Sequence, residues 1–123
     1  MNNNTTSASL TARYYTLGCK LNFSETSTYR RGLMNHGIED AAEGTPAGIC
    51  IINTCSVTGE ADHKCRQIIH RMVRENPGAF IVVTGCYAQL EAKDIAKIPG
   101  VSLVIGAEDK PKLVDKVLEL MKE

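Results

Sequence analysis

Two stretches of this chain are apolar without a break and bounded by turn-formers: Gly48-Ile49-Cys50-Ile51-Ile52-Asn53 and Ala79-Phe80-Ile81-Val82-Val83-Thr84. A strand with one face in water alternates apolar and polar residues, whereas a strand covered on both faces has no reason to alternate. Each run is therefore an inner strand of a sheet with layers above and below. A third run, Arg13-Tyr14-Tyr15-Thr16-Leu17, stops at Gly18, and a fourth, Val101-Ser102-Leu103-Val104-Ile105, stops at Gly106.

Helical segments fall between these runs. Asn22 followed by Glu25 has the form of a capping box and predicts a helix start there. That helix should carry Tyr29, Leu33 and Met34 inward and end near Gly37. Residues 38–47 read as a loop with room for a short edge strand. A helix over about residues 60–75 has Glu60 and Asp62 at its start and Arg71 and Arg74 at its end, the polarity that the helix dipole favours. Pro77-Gly78 closes it. A short helix is expected near 90–97. Asp109 can cap a last helix whose apolar stripe is Leu113, Val114, Val117, Leu118 and Met121. Strands alternating with helices predict an α/β fold, an open, doubly wound, mainly parallel sheet with helices on both faces, a flavodoxin-like three-layer arrangement.

The 123 residues suffice for one core and not for two. Residues 1–12, MNNNTTSASLTA, read as a disordered polar tail and 13–123 as the domain. The tail lacks the basic and apolar blocks of a signal peptide, so the expected location is cytoplasmic. Fourteen basic residues balance fourteen acidic ones, which argues against unaided binding of DNA or RNA. No apolar run is long enough to cross a bilayer, so no membrane partner is expected.

Five cysteines, Cys19, Cys50, Cys55, Cys65 and Cys86, are an odd count for disulfides, and a reducing compartment disfavours them further. Cys50 lies mid-strand and Cys65 shares a helical face with Ala61, Ile68, Ile69 and Met72; both read as core. The other three follow strand ends, at intervals of 36 and 31 residues, about one βαβ unit each. Parallel strands end at a common edge, so spacing without pattern in sequence becomes convergence in space. Gly18 and Gly85 would let the turns tighten and something bulky approach the backbone. Three such thiolates suit an iron–sulfur cluster or a soft metal, with burial as small apolar residues the alternative that spacing alone leaves open. No C-x-x-C occurs, which disfavours structural zinc and thioredoxin-like redox chemistry. His36, His63 and His70 read as helix-surface residues, with Lys64, Arg66, Arg71 and Arg74 a modest basic face around His70. The hydroxyl-rich stretch 53–59, NTCSVTG, before a helix start leaves a second reading open, a flavodoxin-like nucleotide- or flavin-binding module with structural cysteines. Capping explains the same Ser and Thr.

The stretches TLGCKLNFSET, INTCSVTGEADHKCRQ and VVTGCYAQ, in this order and spacing, resemble the amino-terminal domain of radical-SAM methylthiotransferases. GCKLN and NTCSVTGEADHKCRQ are most similar to the branch acting on threonylcarbamoyladenosine in tRNA. The resemblance implies that Cys19, Cys55 and Cys86 each bind an auxiliary 4Fe–4S cluster, leaving one iron open to hold the sulfur or methylthio group. It also implies a central domain that binds S-adenosylmethionine and a second 4Fe–4S cluster through C-x-x-x-C-x-x-C, and a tRNA-binding carboxy-terminal domain. The C-x-x-x-C-x-x-C motif is absent here. The chain is thus expected to be a fragment of a longer transferase, inactive by itself, that reaches tRNA only through the full-length protein.

Overall fold

The computed structural model describes residues 11–17, 20–54, 59–85, 92–106 and 112–121. Its five strands are β1 (Thr11–Thr16), β2 (Glu39–Asp40), β3 (Ile49–Thr54), β4 (Phe80–Gly85) and β5 (Val101–Ile105). Its helices are α1 (Lys20–Met34), α2 (Gly59–Glu75), α3 (Ala92–Ala96) and α4 (Leu113–Met121). All strand pairs are parallel, in the order β2-β1-β3-β4-β5. This is the order of flavodoxin-type doubly wound sheets, and it puts the topological switch point between β1 and β3.

The uninterrupted apolar runs do what their pattern requires. Every residue of β3 is buried, as are five of the six in β4. Side chains alternate between two cores. On one face Cys50, Ile52, Ile81 and Val83 pack with Cys65, Ile68, Ile69 and Met72 of α2 and Ile95 of α3. On the other, Ile49, Ile51 and Val82 pack with Tyr29 and Leu33 of α1 and Leu113 and Val117 of α4. The structure thus confirms Cys50 and Cys65 as core residues.

Helix α1 stops near Gly37 as its sequence reading has it, but it differs in its start and in the side that Met34 faces. It buries Asn22, Thr26, Tyr29 and Leu33, a four-three-four spacing on one stripe. Met34, one residue and about 100° beyond Leu33, is turned out to solvent. The helix ends in a Schellman motif: the Ile38 N–H donates to the Leu33 carbonyl at 3.0 Å and the Gly37 N–H to the Met34 carbonyl at 3.0 Å. Gly37 has a φ of 84°, the left-handed value the motif needs.

Strand β2 is two residues long and pairs only with Thr11 and Ala12, at the amino end of β1. The same pairing starts β1 at Thr11, with Ala12 buried, two residues before the Arg13 where sequence places it. Because β2 stops so low, the chain reaches β3 through residues 41–48 with no helix. Two residues hold this loop. Arg13 donates to the carbonyls of Thr45 and Ala42 and to Asn76 Oδ1, each at 2.8 Å. Asn76 Oδ1 also accepts from the Ala47 N–H at 2.8 Å, while its Nδ2 donates to the Met72 carbonyl. Where a complete doubly wound fold would carry a helix, a cleft of about 690 Å³ remains, lined among others by Arg13, Tyr15, Glu43, Arg71 and Glu75.

Candidate functional site at the carboxyl edge of the sheet

The buried polar residues of the described chain are unevenly distributed. Asn22, Thr26, Asn53, Thr54 and Thr84 gather at the carboxyl ends of β1, β3 and β4 or on the helix beside them; only Asn76 lies elsewhere. Buried polar groups need partners. Here the partners run sideways from strand to strand.

The β1–β3 ladder continues one step past β1, where the Leu17 N–H donates to the Asn53 carbonyl at 2.9 Å. Asn22 Nδ2 then donates to both the Leu17 carbonyl, at 2.8 Å, and the Thr54 carbonyl, at 2.9 Å. Thr54 Oγ1 donates to the Thr84 carbonyl at 2.8 Å, and Thr84 Oγ1 to the Ile105 carbonyl at 2.7 Å. One chain of side-chain bonds therefore links the ends of β1, β3, β4 and β5. Behind it Asn53 Nδ2 donates to the Asn22 carbonyl at 3.0 Å and to Thr26 Oγ1 at 3.2 Å. Thr16 Oγ1 donates to the same threonine at 2.9 Å. Asn53 Oδ1 is buried without a partner.

Thr54 and Gly85 are register partners in the β3–β4 pair. Gly85 has a φ of 110°, and a β-carbon built on it would overlap the Thr54 carbonyl oxygen and come within 2.6 Å of Thr54 Oγ1. Three consecutive strand ends, at Leu17, Thr54 and Gly85, thus share one edge, closely packed. Each leads within two residues into a cysteine: Cys19, Cys55 and Cys86.

A family model described as "Uncharacterized protein family UPF0004" matches residues 11–106, all five strands and the loops between them. This chain belongs to that family. The UPF0004 chain is 40% identical over 113 residues to the Bacillus subtilis protein named threonylcarbamoyladenosine tRNA methylthiotransferase MtaB, covering 92% of this chain and 25% of that one. It is 39% identical over 106 residues to the Aquifex aeolicus protein of the same name, covering 86% and 26%. A tRNA-2-methylthio-N(6)-dimethylallyladenosine synthase of Desulfotalea psychrophila is 36% identical over 97 residues, covering 76% and 22%. The chain spans about a quarter of the length of these curated relatives. The resemblance to the amino-terminal domain of methylthiotransferases is borne out.

Cys19, Cys55 and Cys86 themselves lie outside the described residues, as do Gly18, Asp109 and most of the stretch 53–59. Among the described residues of the UPF0004 chain, no three His, Cys, Asp or Glu side chains gather as a metal site. His36, His63 and His70 are exposed, as their surface reading requires. Burial pushes the Cys50 thiol up to about 11, the partial opposition of Arg13 notwithstanding, so it is an unreactive core thiol. No described helix is long and apolar enough to cross a membrane.

Two readings of the edge are corrected. Asn22 does not cap α1: the helix begins at Lys20, and the side chain acts as a donor to two strand ends instead of an acceptor for its own first turn. Gly85 does not clear space for a bulky ligand, because the Thr54 backbone fills the place its side chain would take. The lateral network itself escaped sequence reading. Its signal was present in a polar residue closing each apolar run, Thr16, Asn53-Thr54 and Thr84, where a fully covered strand offers no reason for one. Leu21 and Phe23, on either side of buried Asn22, are 66% and 55% exposed and form an apolar rim to the edge.

Proposed function

We propose that this UPF0004 chain is the auxiliary cluster-binding domain of a tRNA methylthiotransferase, with Cys19, Cys55 and Cys86 as thiolate ligands of a 4Fe–4S cluster. The observation that carries the reading is the register: Leu17, Thr54 and Gly85 end three adjacent parallel strands at one edge, and each runs directly into one of these cysteines. These strand ends flank the β1–β3 switch point and its neighbour, the edge at which open α/β sheets bind ligands. The donor set fits the group, since three thiolates are soft ligands and satisfy all but one iron. When bound, the cluster would supply an iron with an open position at which sulfur is held for transfer. The chain's own residues tie the strand ends to one another through side-chain hydrogen bonds.

On this reading the complete enzyme inserts a methylthio group at C2 of threonylcarbamoyladenosine next to the anticodon. The S-adenosylmethionine site, the second 4Fe–4S cluster and the tRNA contacts belong to other parts of a longer, cytoplasmic polypeptide. The residues present here, lacking C-x-x-x-C-x-x-C, do not methylthiolate tRNA alone.

The flavodoxin-type strand order favours a second reading, a flavin or nucleotide module. Its described side-chain donors are already committed: Thr54 Oγ1 donates to the Thr84 carbonyl and Asn53 Nδ2 to the Asn22 carbonyl, Thr54 and Asn53 both fully buried. Anaerobic reconstitution with iron and sulfide tests the two. Uptake of about four irons per chain, with visible cluster absorption lost in Cys19→Ala, Cys55→Ala and Cys86→Ala alike, supports the cluster. Iron content unchanged in those variants, or a bound flavin spectrum, overturns it.

A further inference from the structure

We infer that Asn22 is a positioning residue that fixes the separation of the strand ends leading into Cys19 and Cys55; the inference rests on the cluster reading above. Among the described residues, the last ladder bond between β1 and β3 is the one from the Leu17 N–H to the Asn53 carbonyl. α1, which follows β1 in sequence, packs on one face of the sheet, and α2, which follows β3, packs on the other. The proposed thiolates, which lie in sequence between these strands and helices, must keep a fixed spacing.

Asn22 bridges that gap with one group. Its Nδ2 donates to the Leu17 carbonyl at 2.8 Å and the Thr54 carbonyl at 2.9 Å, one on each side of the switch point. The Thr54 carbonyl belongs to the peptide link into Cys55, and the Leu17 carbonyl to the link into Gly18 and then Cys19. The backbone that carries this amide is itself held, because the Asn22 main-chain carbonyl accepts from Asn53 Nδ2 and from Thr26 Oγ1, each at 3.0 Å. Its burial is not apolar packing: Asn22 is 5% exposed between Leu21 at 66% and Phe23 at 55%.

The residue type follows from the geometry. Two main-chain carbonyls about one hydrogen bond from a common point require a group with two N–H donors and no more length than Asn has. Aspartate would set oxygen against both carbonyls, and leucine of similar volume would remove both donations. The strand ends would then drift, and the thiolates with them. Groups that orient metal ligands typically change metal affinity by about 10- to 100-fold when removed.

Asn76 provides a matched control. It is also a buried asparagine that donates to a main-chain carbonyl, but at the opposite edge. Wild type, Asn22→Leu and Asn76→Leu are reconstituted anaerobically with iron and sulfide. Each is then challenged with a chelator, with electron paramagnetic resonance of the reduced cluster and thermal melting recorded in parallel. Both variants should lose stability, but only Asn22→Leu should release iron at least tenfold faster and alter the resonance spectrum. Equal release from Asn22→Leu and Asn76→Leu, with unchanged spectra, overturns the inference and leaves the cluster reading standing. If wild type takes up no iron, the cluster reading fails, and the inference falls with it. Should Asn22→Leu not fold, Asn22→Ser, which keeps a single donor, is read in its place with the same expectation and the same overturning result.

Discussion

The backbone of Thr54 occupies the place where a side chain on Gly85 would begin. With a φ of 110°, Gly85 is also in backbone territory that other residues reach only under strain. Gly85→Ala should therefore push the two central strands apart and lower stability by about 3 kcal/mol, combining left-handed strain with overpacking. Urea denaturation of the cluster-free chain measures this, and a loss below about 1 kcal/mol would contradict the contact.

At the other edge, Asn76 satisfies the Ala47 N–H and one arm of the Arg13 guanidinium. Asn76→Ala strands both, and the expected loss is about 2 kcal/mol, the cost of leaving buried groups without partners. Arg13→Met, which removes all three bonds to the 41–48 loop and Asn76, should open that loop to proteolysis before the sheet unfolds.

Alkaline conditions should destabilise the fold. Burial raises the Cys50 thiol from 9.0 to about 11 and, together with Asp40, the Tyr14 hydroxyl from 10.0 to about 12; Tyr29 is raised too. Each group stays neutral in the folded chain while its unfolded counterpart ionises, so the unfolded state holds fewer protons. Stability from these groups is complete below pH 9 and falls as pH rises through 9 to 12. Denaturant midpoints measured from pH 7 to pH 11 check the sign. Cys50→Val should flatten the first part of the decline, between pH 9 and pH 10.

Three adjacent residues of α1 should answer substitution in opposite ways. Leu21→Ser and Phe23→Ser touch exposed side chains and should leave the melting temperature within about 2 °C of wild type. Asn22→Leu, between them, should lower it clearly. Leu33→Ala, at a fully buried position, should cost about 2–5 kcal/mol. Differential scanning calorimetry of the four variants gives the ranking.

The architecture was readable because strands covered on both faces have no reason to alternate, and residues 49–52 and 80–83 are unbroken apolar runs. The edge was less readable because polar side chains do two jobs that look alike in sequence. Asn22 followed by Glu25 has the letters of a helix cap, yet its partners Leu17 and Thr54 lie 5 and 32 residues away. Only the pairing of β1 with β3 brings them together, and no local pattern encodes that. The inward residues of α1 were misjudged at Met34 for a related reason: Leu33 and Met34 are equally apolar, and only Gly37 and Ile38, closing the Schellman turn onto Leu33 and Met34, fix the rotation of the last turn. The common edge shared by the strand ends at Leu17, Thr54 and Gly85 needed nothing beyond counting βαβ units.

The helix-free crossing from β2 to β3 has a consequence for how the molecule breathes. The Ala47 amide proton is bonded to a side chain 29 residues ahead, and that side chain is bonded to Arg13, 63 residues behind it. A loop that in most proteins would fray first is thus tied to segments that separate only when the sheet itself comes apart. Its amide at position 47 should exchange with deuterium as slowly as those of the central strands, so that an irregular segment reports the opening of the whole domain.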